Sequence, residues 1–149
     1  MDAAQLLWLD FCAQAAEDAG HPWPKYAACE AAEESYFGQS QLAKLGHNLF
    51  GVKAYAGSPY GELMLPTKEF INGEWVSKPA YFVSFPDFKT SFINRMSILN
   101  RLQYKYPHYA AALAAPDGET FVREVSQTWS TDPHRADKVL AYYTEKWGA

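Results

Sequence analysis

The dipeptide Asn72-Gly73 is the feature that most constrains how this chain can fold. It lies within residues 62 to 85, a stretch rich in β-forming side chains, and Asn-Gly is the strongest two-residue signal for a hairpin turn. Pro66 and Pro79 keep the strands of this stretch short or at a sheet edge, because proline has no N–H to donate to a neighbouring strand. The sequence therefore predicts a β-hairpin that turns at Asn72-Gly73.

Helical patterns lie on both sides of the hairpin. On its N-terminal side they cover residues 3–18, Pro24 to Phe37 with a stop at Gly38, and 39–45. On its C-terminal side Asp87 can cap a helix to about Gln103, and further helices are predicted at 109–115, at 117–128 and from Asp132-Pro133 onward. We therefore predict one α+β domain over residues 1–149, mainly helical, whose hairpin lobe projects beside the end of the second helix.

The second predicted helix carries three glutamates on the arc opposite its small apolar residues. Glu34 lies at the border of that arc, in the last turn, so we expect it to be half-buried, whereas Glu30 and Glu33 are expected to be solvated. Partial burial and the negative end of the helix dipole both favour the protonated form of Glu34, which a general acid requires. The alternative is a helix of good propensity with a hydrated glutamate face.

Composition limits the classes of partner. The net charge of −4 gives no electrostatic basis for binding nucleic acid or an anionic membrane surface, so we expect neither partner. Aromatic residues make up 16% of the chain, and those that are not in the core would suit walls on which sugars stack. Met1 to Gln5 has no basic segment, and residues 6–16 are interrupted by Asp10 and Gln14, so no signal peptide or membrane span is predicted.

The cysteines and histidines show no metal-binding spacing, so we expect no metal and no organic cofactor. Cys12 and Cys29 lie on two successive predicted helices, which leaves a disulfide and two buried thiols as alternatives. His47 is the one histidine beside the predicted site, where we expect it to support a loop.

Two neighbouring segments together form a distinctive pattern: Glu34-Ser35-Tyr36-Phe37-Gly38-Gln39-Ser40-Gln41-Leu42-Ala43, followed by Asn48-Leu49-Phe50-Gly51-Val52-Lys53. The pattern resembles the signature of glycoside hydrolase family 73, the peptidoglycan N-acetylglucosaminidases of flagellar hydrolases, autolysins and phage lysins. Later segments are similar to the family in the same order and at about its spacing: Pro66 to Phe70, Asn72 to Val76, Phe82 to Phe92, and Trp129 to Pro133 with Ala136 to Leu140. The resemblance covers most of residues 26 to 143 and implies a lysozyme-like fold.

The resemblance also implies roles for individual residues. Glu34 would be the general acid, and Glu69 the second carboxylate, with Glu62 and Glu74 as weaker alternatives on the same lobe. Glu69 could activate water, act as a nucleophile, or be dispensable if the substrate's own acetamido group attacks. The residues expected to bind substrate are Phe37, Asn48, Phe50, Phe85 and Trp129.

Two of these residues depart from the family, which usually has tyrosine where this chain has Phe85 and Trp129. Neither side chain can supply a phenolic hydroxyl. For Trp129, closing the last helix against the core is an equal alternative to a role in the cleft.

The implied function is hydrolysis of the β-1,4 bond after N-acetylglucosamine in peptidoglycan glycan strands by a monomeric domain. A muramidase or lytic transglycosylase on the same scaffold, or a non-catalytic wall-binding domain, are the alternatives. Because no signal peptide is predicted, we expect delivery to the wall, in the periplasm or outside the cell, by phage lysis, by specialised secretion or within a larger chain.

Overall fold

The computed structural model describes residues 1–148, which fold into seven helices and one two-stranded antiparallel sheet. The elements are α1 (Ala3–Asp18), α2 (Pro24–Ser35), α3 (Gln41–Gly46), β1 (Gly61–Ile71), β2 (Glu74–Ser84), α4 (Phe88–Leu102), α5 (Pro107–Leu113), α6 (Gly118–Trp129) and α7 (Arg135–Trp147). The predicted α+β class, mainly helical with a small hairpin lobe, is confirmed.

The hairpin turns at Asn72-Gly73, as predicted. Asn72 has φ of 52° and Gly73 has φ of 82°, and positive φ at both central residues is the turn geometry that matches the twist of the flanking strands. The strands pair from Gly61 opposite Ser84 to Ile71 opposite Glu74, and each is 11 residues long. They tolerate Pro66 and Pro79 because each strand of a two-stranded sheet is an edge.

The base of the hairpin is attached to the segment that follows α3. Val83 donates its N–H to the carbonyl of Val52 at 3.1 Å, and Phe85 donates to the carbonyl of Gly46 at 2.7 Å. Both strands pack against α3. The lobe therefore lies beside the short helix that comes directly after α2.

Helix α2 is the centre of the helical body and packs against α1, α6 and α7. Its small side chains allow these helices to approach closely, and the most deeply buried are Ala27, Ala28, Cys29, Ala31 and Ala32. The expected arc of small apolar residues is therefore confirmed; Tyr36, which the helical pattern would also place on that arc, is exposed because it lies beyond the end of the helix.

The end of α2 comes two residues earlier than predicted. Tyr36, Phe37 and Gly38 all have positive φ, so the chain leaves the helix after Ser35. The Ser35 hydroxyl donates to the carbonyl of Ala31 at 2.6 Å and accepts from the N–H of Gly38 at 3.0 Å. This local bonding replaces the next helical turn and fixes the chain direction directly after Glu34.

The start of α7 also differs from the prediction. The helix begins at Arg135, not at Asp132-Pro133, because the Asp132 carboxylate accepts the N–H of His134 at 2.9 Å and closes a separate turn. The predicted cap Asp87 is confirmed, since its side chain accepts the N–H of Thr90 at 2.8 Å.

Cys12 and Cys29 are free, buried thiols, which decides between the two alternatives left open by the sequence. Burial is the main cause that raises the pKa of both thiols, that of Cys29 to about 12. Both therefore behave as small apolar side chains.

Within residues 1–148 no helix combines the length and apolar character needed to cross a membrane. The same part of the chain holds no group of three or more His, Cys, Asp or Glu side chains arranged to bind a metal ion.

Gly38 is the position where the backbone depends most directly on glycine. It has φ of 75°, and a Cβ added there would lie 2.6 Å from Nε1 of Trp8. Gly38→Ala should lower the free energy of unfolding by about 1–2 kcal/mol through left-handed strain and by about 1–3 kcal/mol more through the clash. Gly51→Ala is the matched control, because Gly51 has φ of 68° and open space around it. Equal losses for the two variants in urea denaturation would contradict the packing argument.

Candidate active site

Glu34 lies in the last turn of α2, and about a quarter of its side chain is exposed (24%). The predicted half-burial is therefore confirmed. Its Oε1 accepts a hydrogen bond of 2.8 Å from Nε of Arg135, the first residue of α7. The start of α7 thus fixes the position of the carboxyl group that the sequence singled out.

Arg135 belongs to a group of buried ionic side chains that we call the buried charge cluster, namely Glu30, Arg95 and Arg135. Arg135 donates through Nη2 to Glu30 at 2.9 Å and through Nη1 to the hydroxyl of Ser126 at 2.8 Å. Arg95 binds the same Glu30 carboxylate through both terminal nitrogens, at 3.0 and 2.6 Å. Glu34 therefore forms the solvent-facing end of a chain of ion pairs that runs through the core.

The expectation that Glu30 is solvated was wrong, since its side chain is completely buried (0%). Burial by itself raises the pKa of Glu30, but the guanidinium groups of Arg95 and Arg135 more than offset this and hold the pKa below its ordinary value. These two arginines are 65 and 105 residues further along the chain. A buried carboxylate is tolerated here because both of its oxygens are paired.

Arg135 is held as a cation by its two carboxylate partners. Burial opposes its charge, but Glu30 and Glu34 together outweigh burial and raise the pKa of Arg135. Arg135 therefore meets Glu34 as a cation and binds its carboxyl group through a charge-assisted hydrogen bond.

Four of the five residues expected to bind substrate are buried: Phe37, Asn48, Phe50 and Phe85. Their burial does not favour direct contact with a sugar in this conformation. Instead they support the site from within the protein, as the contacts of Asn48 and Phe50 illustrate.

Asn48 attaches the loop after α3 to the hairpin. Its amide nitrogen donates to the carbonyls of Val52 and Val83, both at 2.9 Å, and its Oδ1 accepts the N–H of Val52 at 3.1 Å. Because these bonds use most of its hydrogen-bonding capacity, Asn48 fixes the lobe to the helical body.

Phe50 and Trp129 enclose the guanidinium group of Arg95, whose Cζ lies 4.7 Å from the centre of the Phe50 ring and 4.8 Å from that of Trp129. Trp129 is half-buried and meets Phe50 edge to face at 6.0 Å. The aromatic rings thus exclude water from the cluster and contribute cation–π attraction.

Glu69 lies on β1 in the hairpin lobe, and more than half of its side chain is exposed (55%). Its carboxylate lies 3.5 Å from Nζ of Lys78 on β2. The adjacent Lys68 points to the opposite face of the sheet, because neighbouring strand residues alternate. The two predicted catalytic carboxylates are therefore on different lobes, Glu34 in the helical body and Glu69 on the hairpin.

A groove of about 600 Å³ lies between the end of α6 and the start of α7, next to the cluster. Its lining includes Ser126, which also binds Arg135, and the hydroxyls of Ser130 and Thr131. These groups can hydrogen-bond to a polar ligand such as a glycan.

Arg95 and Arg135 were not predicted as partners of the glutamates. One signal was available for Arg95, since it lies three residues after Phe92 and four before Leu99 and so shares a helix face with these apolar side chains. A cation on such a face indicates a buried carboxylate partner. No comparable signal marks Arg135.

The fold and this site together define a class of protein. A carboxyl group at the end of a helix, in a mainly helical body with a small β lobe, is the arrangement of lysozyme-like glycoside hydrolases. The profile of the glucosaminidase family, described as mannosyl-glycoprotein endo-beta-N-acetylglucosaminidase, matches residues 10–146. The chain therefore belongs to the glucosaminidase family, and the resemblance to glycoside hydrolase family 73 is confirmed.

Individual relatives agree with this assignment. The chain is 34% identical over 101 residues to a probable N-acetylmuramidase of Lactococcus lactis subsp. cremoris, covering 66% of this chain and 22% of the relative. It is 31% identical over 122 residues to the peptidoglycan hydrolase FlgJ of Vibrio parahaemolyticus, covering 78% of this chain and 38% of FlgJ. The catalytic domain of the Listeria monocytogenes autolysin Auto superimposes with a TM-score of 0.76 at 21% identity, covering 98% of this chain and 86% of that domain. The chain thus spans about a fifth of the muramidase and just over a third of FlgJ.

His21, which precedes α2, gives the cluster a measurable pH dependence. It is buried, and burial first and Arg95 second lower its pKa to about 4, with Glu30 acting in the opposite direction. Its Nδ1 accepts the N–H of Trp23 at 2.9 Å, while its buried Nε2 has no partner in the described residues. The folded protein therefore holds His21 neutral.

We expect the free energy of unfolding to fall by about 3 kcal/mol between pH 6.5 and pH 4 because of His21. In this window the unfolded chain binds a proton that the folded protein excludes, so stability is present above pH 6.5 and is lost on acidification. Urea denaturation at several pH values measures the slope, which His21→Asn should flatten. His134→Gln, at an exposed histidine, should retain the wild-type slope; equal slopes for wild type and His21→Asn would refute the assignment.

Proposed function

We propose that this domain hydrolyses the β-1,4 glycosidic bond after N-acetylglucosamine in bacterial peptidoglycan, with Glu34 as the general acid. The observation that carries the proposal is the half-buried carboxyl group of Glu34, held by Arg135 at the end of α2 in a domain of the glucosaminidase family. FlgJ, a relative named as a peptidoglycan hydrolase, supports the choice of substrate.

Cleavage requires a proton for the leaving oxygen and stabilisation of an oxocarbenium-like centre. Glu34 donates the proton. Glu69 activates the attacking water from the hairpin lobe, an arrangement that leads to inversion and needs carboxyl groups about 6.5 to 9.5 Å apart or more. Its exposed side chain and the weak surface ion pair with Lys78 leave it free to move as the cleft closes.

The domain acts as a single unit of residues 1–149, as a monomer and without a cofactor. Its partner is the glycan strand, which it meets at the bacterial cell wall after phage lysis, by specialised secretion or as part of a larger chain. Because the protein and its polymer substrate are both anionic, binding depends on shape, hydrogen bonds and stacking.

A muramidase is the second candidate, because the Lactococcus relative is named a probable N-acetylmuramidase. Analysis of the new reducing ends in digested sacculi separates the two activities. N-acetylglucosamine at those ends supports the proposal, N-acetylmuramic acid supports the muramidase, and its anhydro form indicates a lytic transglycosylase.

Replacing the proposed acid tests the catalytic assignment. Glu34→Gln keeps the shape of the side chain and can still accept the hydrogen bond from Arg135, but it has no proton to donate. We expect turnover to fall by about 10²- to 10⁴-fold while the fold is retained. Mass spectrometry of muropeptides released from purified sacculi measures the rate.

Glu33→Gln is the matched control, because Glu33 is the adjacent residue and accepts a hydrogen bond of 3.1 Å from Tyr142 that glutamine can also accept. It should retain most of the wild-type rate. A Glu34→Gln enzyme with more than a tenth of wild-type turnover would exclude Glu34 as the acid.

Glu69→Gln tests the second carboxylate and the stereochemical course together. If Glu69 activates water, the variant should lose about 10²-fold or more in rate, and proton NMR of wild-type product should show an inverted anomer. Glu74→Gln is the control and should remain active, because Glu74 is an exposed residue beside the Asn72-Gly73 turn of the same hairpin. Retention of configuration with near-full Glu69→Gln activity would remove Glu69 from the mechanism and favour attack by the substrate's acetamido group.

A further inference from the structure

The buried charge cluster ends on Glu34. Arg95 and Arg135 contribute two positive charges, and Glu30 and Glu34 are the two carboxyl groups bound to them. Arg135 is almost completely buried (1%), so protein side chains take the place of water around its guanidinium group.

The geometry of Arg135 is fixed at three points. Its terminal nitrogens are bound to Glu30 and Ser126, which leaves Nε to donate to Oε1 of Glu34. Within residues 1–148, Oε2 of Glu34 accepts no hydrogen bond and is available for a proton or for the leaving oxygen. A planar guanidinium group held in this way orients a carboxyl group more tightly than a flexible ammonium could.

We propose that Arg135 is a positioning residue for Glu34, which holds the orientation of its carboxyl group through the hydrogen bond from Nε to Oε1. The inference rests on the proposed role of Glu34 as the acid.

Positioning is tested by kinetics on sacculi. We expect kcat to fall about tenfold in Arg135→Lys, which retains the charge but not the fixed geometry, with little change in KM. Wild-type kcat in Arg135→Lys would overturn the positioning role.

Ser126→Ala covers the case in which the arginine variants do not fold, because it removes one anchor of Arg135 and keeps every charge. It should lower kcat about threefold. Unchanged kcat would overturn positioning. The proposed function is tested independently of Arg135, because activity retained by Glu34→Gln would contradict it.

Discussion

The structure depends on one interaction, the double ion pair that allows Glu30 to be buried in the middle of the helical body. A carboxylate without partners at this position would be strongly destabilising, whereas Arg95 and Arg135 satisfy both of its oxygens. Because the two arginines come from α4 and α7, the pair also joins the element after the hairpin to the last helix. Packing of the small-residue face of α2 and orientation of Glu34 thus follow from the same contacts.

Local signals were sufficient to predict most of the fold. Asn72-Gly73 requires positive φ that few other dipeptides tolerate, and the Asp87 cap marks a helix start by a bond within three residues. Predictions were less accurate where two local solutions compete, as at Ser35 and Asp132, whose side chains bond to nearby backbone and end or delay a helix. Which of the two local structures forms depends on packing against residues that are distant in the sequence.

The site was less predictable than the fold, for a physical reason. Glu34 could be identified from its place at the border of a helix face and from the family signature. Glu30 could not, because its burial depends on cations 65 and 105 residues away, and an isolated glutamate on a helix is normally solvated. Phe50 was predicted to bind substrate, and its ring lies buried against the guanidinium group of Arg95, a contact that the sequence pattern does not indicate.

The free thiols Cys12 and Cys29 have a consequence for where the domain can keep its fold. Because burial holds both in the unreactive thiol form, neither is readily oxidised or drawn into exchange with other disulfides. The packing of α1 on α2 does not depend on a covalent cross-link. The folded state therefore holds without a disulfide, so its stability does not require an oxidising environment.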